Sequence, residues 1–205
     1  MRGAVLFVTL LVVAGFWISR QERTHPVVGG EKQQAQAGEN SPICPWREPE
    51  RDLKTLFPQA TQYTIETRIL SAFMTPIHQR LKRSMTVDEN PLRIYRAVDG
   101  TQVKGAILVK RVKGEHGGIE LVIGIDTERQ LRGVLIQSQR EPQAVSQAIT
   151  EWLPSFAGRT AESPLQPGED LPTVAAEARA TANSIAEGVR SGLIVLSFAE
   201  NQKSP

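Results

Sequence analysis

The sharpest pattern along the chain is an alternation of apolar and polar positions between residues 92 and 137. Leu92-Arg93-Ile94-Tyr95-Arg96-Ala97 alternates at period two, the spacing that turns one face of a strand inward. Asp99-Gly100 supplies a turn, 105–112 reads as the next strand and 114–118 as a loop. Ile119, Leu121, Ile123 and Ile125 then recur at every second residue, 126–130 turns the chain, and 131–137 returns it. Short strands with tight connections predict an antiparallel meander. Around it the spacing lengthens to that of helices. Residues 51–56 form a short one stopped before Pro58, 77–83 a second, and 143–152 a third introduced by Pro142. The longest helical pattern runs over 174–196 and opens behind Thr173 as its N-cap. Residues 61–71 mix both periods and stay open between strand and helix, and 162–171 is a proline-marked loop. The expected fold class is α+β, an antiparallel sheet with packed helices.

The N-terminus carries a different pattern. Residues 3–19 contain no charge, Arg2 precedes them, and Arg20 and Arg23 follow. Seventeen helical residues span roughly 25 Å, at the short end for crossing a bilayer core of about 30 Å. Trp17 sits where an interfacial aromatic belongs, and the arginines can snorkel. Phe16-Trp17-Ile18-Ser19-Arg20 is too bulky for a signal-peptidase site, so the reading is an uncleaved anchor rather than a cleaved signal. The expected organisation is a membrane-anchor helix over 1–23, a polar tether over 24–43, a domain over 44–199 and a flexible tail over 200–205. Residues 3–19 would contact lipid, and the domain would lie on the exported, extracytoplasmic side of the membrane. The tether, with Gly29-Gly30 and a Gln- and Ala-rich run, has too little apolar content to fold alone.

Charge and cysteine content narrow the chemistry. The 205 residues carry 24 basic and 22 acidic side chains, net +2, without the basic stripe of a nucleic-acid protein. The local cluster Arg80, Lys82, Arg83 reads as a solvated face. Cys44 is the lone cysteine, so neither an intrachain disulfide nor a thiolate metal site can form. His25, His78 and His116 show no ligand spacing, and no metal site is expected. No phosphate-binding glycine loop and no Gly-x-Ser-x-Gly elbow occurs. Glu128, Glu141 and Glu151 each read as solvated, and no catalytic residue is proposed.

Three segments stand out. Gly114-Glu115-His116-Gly117-Gly118 precedes a strand, where glycines allow either a hairpin of positive φ or close backbone approach to a ligand. Gln139-Arg140-Glu141-Pro142 follows the last strand. Ala178-Arg179-Ala180-Thr181-Ala182-Asn183-Ser184 lies in the last helical pattern, where hydroxyls ordinarily face solvent or the preceding turn.

In order and spacing, these segments resemble the FMN-binding domain shared by the G subunit of the Rnf electron-transfer complex and the C subunit of the sodium-pumping NADH:quinone reductase. Gly117-Gly118-Ile119-Glu120-Leu121-Val122-Ile123-Gly124-Ile125-Asp126 is similar to the family's Gly-Gly-x-Ile-x-Leu-x-Val-Gly-Ile-Asp, one residue shorter. Leu131-Arg132-Gly133-Val134 resembles the strand after it, and residues 139–145 stand where the family has Glu-Thr-Pro-Gly-Leu-Gly. Trp152-Leu153-Pro154-Ser155-Phe156-Ala157-Gly158-Arg159 resembles Trp-x-x-x-Phe-x-Gly-Lys, and Leu56-Phe57-Pro58-Gln59-Ala60 the N-terminal Phe-Pro-x-Ala. The likeness spans residues 53–196 and includes the layout of one N-terminal transmembrane helix.

The resemblance implies an electron-carrier subunit of a membrane redox complex rather than a stand-alone enzyme, with FMN as cofactor. In the family a flavin transferase joins the FMN phosphate to the threonine of Ser/Thr-Gly-Ala-Thr. If Ala180-Thr181 matches Ala-Thr, Thr181 is the acceptor, with Ala178 and Arg179 replacing Ser and Gly. If the helix is registered on Ile185 and Val189, the acceptor position falls on Arg179 and Thr181 matches a second threonine. Pro142 is kept, while Gln143 and Val145 replace the motif's glycines. The cofactor contacts implied are Thr181, Arg179, His116, Gly117 and Gly118. FMN would be covalent on Thr181, or non-covalent with Arg179 pairing its phosphate. The alternative of a different class is a flavin-free interaction or assembly module that retains the fold.

Overall fold

The computed structural model describes residues 24–26 and 49–201. The anchor pattern over 3–19, most of the tether, Cys44 and the end of the tail lie outside the described residues. Among the described residues, no helix is long and apolar enough to cross a membrane.

A six-stranded antiparallel sheet forms the frame, its strands adjacent in chain order. They are β1 (Thr24–Pro26), β2 (Gln62–Arg68), β3 (Leu92–Asp99), β4 (Gln102–Lys113), β5 (Gly118–Asp126) and β6 (Leu131–Ser138). The expected meander is present as β3 to β6. β4 extends beyond the sequence estimate at both ends and pairs with β5 from Gly105↔Asp126 to Lys113↔Gly118. Gly100, at φ +59°, takes the left-handed turn conformation that its Asp-Gly dipeptide announced. The open segment 61–71 resolves into β2, paired with β3 from Gln62↔Val98 to Arg68↔Leu92, followed by a 3-10 turn at Ser71–Phe73. Three residues of the segment read as a tether form the edge strand β1, with Thr24 opposite Thr64 and Pro26 opposite Gln62. An edge is where a strand tolerates proline.

Both faces of this sheet are covered. Helices α2 (Met74–Leu81), α3 (Gln143–Trp152) and α4 (Arg179–Glu200) lie on one face. There Ile185, Val189, Ile194 and Phe156 join Ile94, Leu108, Ile119, Leu121 and Ile123 in one core. Helix α1 (Glu50–Leu56) covers the other face, where Leu53, Leu56 and Phe57 pack with Tyr63, Tyr95, Ile107 and Val122. β5 therefore differs from a half-buried strand: every residue from 119 to 125 is buried, including those between the isoleucines of the sequence pattern.

The longest helix begins later than its sequence pattern. Ala175 is extended (φ −52°, ψ 149°), a 3-10 turn fills Ala176–Ala178, and α4 starts at Arg179. Thr173 is thus not the N-cap; Ala178 holds that position, with no side-chain cap. The indole of Trp152, at the end of α3, donates to the Pro172 carbonyl at 2.9 Å, tying the chain to α3 just before the helix begins.

Candidate functional site

The three segments singled out in the sequence meet at one end of the sheet. The β4–β5 loop closes on itself through a bond from the Gly114 N–H to the Gly117 carbonyl, 2.7 Å. The first turn of α4 lies beside it. The Glu115 N–H donates to Thr181 Oγ1 at 3.3 Å across 66 residues of chain. Glu141, at the exit of β6, reaches under the same loop. It accepts from the His116 N–H at 3.2 Å and sits 2.9 Å from His116 Nδ1. The Thr181 hydroxyl hydrogen-bonds the same carboxylate. A shallow, solvent-open cleft forms above these contacts, with Glu115, His116, Pro142, Val145, Arg179 and Asn183 among its lining.

Glu141 departs from its reading as a solvated carboxylate, since its side chain is fully covered. Burial by itself would raise its pKa. The bonds from the His116 ring and backbone, the His116 charge and the Thr181 hydroxyl outweigh that and hold the carboxyl below the ordinary range. Nothing local marks Glu141 in the sequence; only the tertiary meeting of loop and helix encloses it.

The five residues expected to touch a cofactor divide into groups. Arg179 and His116 are exposed and line the cleft. Thr181 is wholly buried, its hydroxyl committed to Glu115 and Glu141 rather than presented to the cleft. Ile185 and Val189 are buried on the same face of α4 as Thr181, while Arg179 is exposed. Gly117 and Gly118 border the loop, and neither has a positive φ. A methyl at Gly117 would press on the Arg140 side chain, and one at Gly118 would meet only ordinary contact. The position that demands glycine is Gly114, where a methyl would overlap the Glu141 carboxylate and the Ile119 side chain. Close backbone approach is thus real at this loop, but its object is Glu141.

A second cluster was not legible in the sequence. Glu89, 1% exposed, accepts both guanidinium nitrogens of Arg83 at 2.8 and 2.9 Å, Lys110 Nζ at 2.5 Å and the Thr86 N–H at 2.8 Å. The basic run 80–83 is therefore a solvated face only at Lys82. Arg83 enters this cluster, and Arg80 pairs with Glu162. Among the described residues, no group of three or more His, Cys, Asp or Glu stands together to hold a metal.

No protein-family model matches the chain, and no curated protein matches it either.

Proposed function

We propose that the chain is a membrane-anchored, FMN-binding electron-transfer module, a subunit of a membrane redox complex, and that it holds its flavin non-covalently in the cleft over Arg179. The observation that carries this is the meeting of three separated segments, each bearing the family likeness, at one cleft with an outward cation on the first turn of α4. A guanidinium offers a planar fork matched to a phosphate. The N-terminus of a 22-residue helix adds positive potential there. Pro142, Ala144 and Val145 supply an apolar wall for a flat ring. Arg179, the helix N-terminus and this apolar wall suit a phosphate-bearing planar ligand, against the two carboxylates, Glu115 and Glu177, that also line the cleft. The site does not fit a phosphoester on Thr181, whose hydroxyl is buried and bonded twice. When bound, FMN supplies the one-electron chemistry; the chain's part is to bind it, orient it and set its surroundings.

One observation favours a second reading, a flavin-free interaction or assembly module. Glu141 already occupies the donors of His116 and Thr181, as an internal anion satisfying the groups an external one would use. Absorbance spectroscopy of the protein purified from its host, before and after acid precipitation, separates the readings. Flavin bands released to the supernatant, and weakened uptake of added FMN by Arg179→Ala, are the expected result. Bands retained in the pellet would restore covalent attachment. A colourless protein that takes up no added FMN would leave the interaction module.

A further inference from the structure

We infer that the domain docks on its own bilayer through the end of the sheet marked by Val87 and Ile69, which places the cleft at the membrane-facing end. The inference rests on the anchor reading of residues 3–19. From Ser19 to Thr24 the chain can span at most about 17 Å, so Thr24 lies within that reach of the lipid headgroups. The register then sets the direction. Thr24 is opposite Thr64 and Pro26 opposite Gln62, so the chain enters β1 from the side toward which β2 runs. At that end β2 finishes at Arg68, β3 begins at Leu92, β4 finishes at Lys113 and β5 begins at Gly118.

The side chains there match a lipid surface. Val87 (93% exposed) and Ile69 (67%) are the two most exposed large apolar residues among the described ones. Asn90, near Val87 in sequence, accepts the Leu70 N–H at 3.0 Å, which brings the 69–70 and 87–91 connections together. Val87, Pro91 and Arg93 rim a pocket floored by Tyr95 and Val109. Arg93, Lys113 and Arg140 are exposed at this end and outnumber the exposed Glu115 of the β4–β5 loop, a balance suited to anionic headgroups. The opposite end carries the turn at Gly100 and the turn over 126–130, where Asp99, Asp126 and Glu128 outnumber Lys104 and Arg129, and one large exposed apolar residue among the described ones, Val103. The β4–β5 loop belongs to the docking end, three strand spacings or about 15 Å across the sheet from β1. A carrier whose cleft lies in that position meets a membrane-embedded partner without crossing the width of the domain.

The full chain with Cys44→Ser, carrying one cysteine at a time as Ile69→Cys, Val87→Cys, Thr101→Cys or Thr127→Cys, tests this. Each is labelled with a fluorophore and reconstituted into vesicles of phosphatidylcholine and phosphatidylglycerol containing headgroup-level quenching lipid. Labels at 69 and 87 are expected to be quenched well above those at 101 and 127, with the difference growing as phosphatidylglycerol is raised. Equal or reversed quenching in a chain that still floats with the vesicles overturns the orientation and leaves the anchor standing. A chain that fails to float overturns the anchor, and the orientation with it.

Discussion

Glu89 and Glu141 are two buried carboxylates solved in different ways. Burial alone would raise the Glu89 carboxyl, but the Arg83 hydrogen bonds and the Lys110 charge and bond hold it far below the ordinary range. A depressed carboxyl contributes stability that is fully present above its unfolded pKa, about 4.3. That contribution is lost as the pH falls through that value toward the folded one. Glu89→Ala leaves the buried Lys110 with only the longer ion pair to Asp88 at 3.8 Å, and urea unfolding at pH 7 should show a loss of about 3–5 kcal/mol. The acid limb of stability should flatten in the same variant; an unchanged limb would assign acid sensitivity elsewhere. At the cleft, Thr181→Val keeps the shape and removes the hydroxyl that Glu115 and Glu141 share. It should cost about 1–3 kcal/mol, because the N–H of a partly buried loop loses its acceptor. Thr181→Ser should recover most of that. Under the proposed site over Arg179, flavin content measured in both variants should match the parent chain; loss of flavin in Thr181→Val alone would point back to Thr181.

At the scale of elements, α1 is held against the sheet by an absence of side chains. Gly105 on β4 lies under Phe57, and a methyl there would overlap the Phe57 ring and the Ile125 carbonyl oxygen. Gly124 and Gly133, paired across β5 and β6, accept Leu56 in the same way. Gly105→Ala should therefore destabilise the domain by about 1–3 kcal/mol through overpacking. Phe57→Leu in the same chain should return part of the loss, a coupling that a double-mutant cycle in urea measures directly. These contacts also explain what the sequence conveyed at this scale. The meander was legible because Asp99-Gly100 and the isoleucines of β5 are local signals of turn and period. β2 was not, since only Tyr63 in it is fully buried and its polar positions form ion pairs, Glu66 with Arg96 across on β3 and with Arg68 on β2 itself, which blur the alternation. The start of α4 was misplaced because Val174, Ala175, Ala176 and Ala178 continue a helical pattern that Trp152, bonded 20 residues away, interrupts. The cleft was half legible: its three segments could be picked out as oddities, but Glu141 and Gly114 acquire meaning only when β6 exits beneath the β4–β5 loop.

For the whole molecule, the sheet divides the core in two, and the division predicts where the native state opens first. β4 and β5 share nine paired positions, the longest register in the sheet, and β5 is buried on both faces by α4 on one side and α1 with Phe57 on the other. β1 is three residues long and pairs on one side only. Amides in the centre of β5 lose protection only when both layers separate, which is close to global unfolding; amides at the β1 edge need only local fraying. Among these segments, hydrogen exchange should thus be slowest over residues 119–125 and fastest at Thr24 and His25, with 114–117 between them. Ligand binding sharpens the expectation. A flavin held over Arg179 would bind the native state and not the unfolded one, so it would slow exchange wherever opening is global, by a factor of 1 + [L]/Kd, a stabilisation of RT ln(1 + [L]/Kd). The same ligand also slows local opening of the 114–117 loop and the first turn of α4, which it contacts directly. Added FMN that protects residues 119–125 and 114–117 together fits binding in the cleft. Protection confined to the opposite end, at Gly100 or 126–130, would place the ligand away from the three converging segments and remove the reason for reading them as its site.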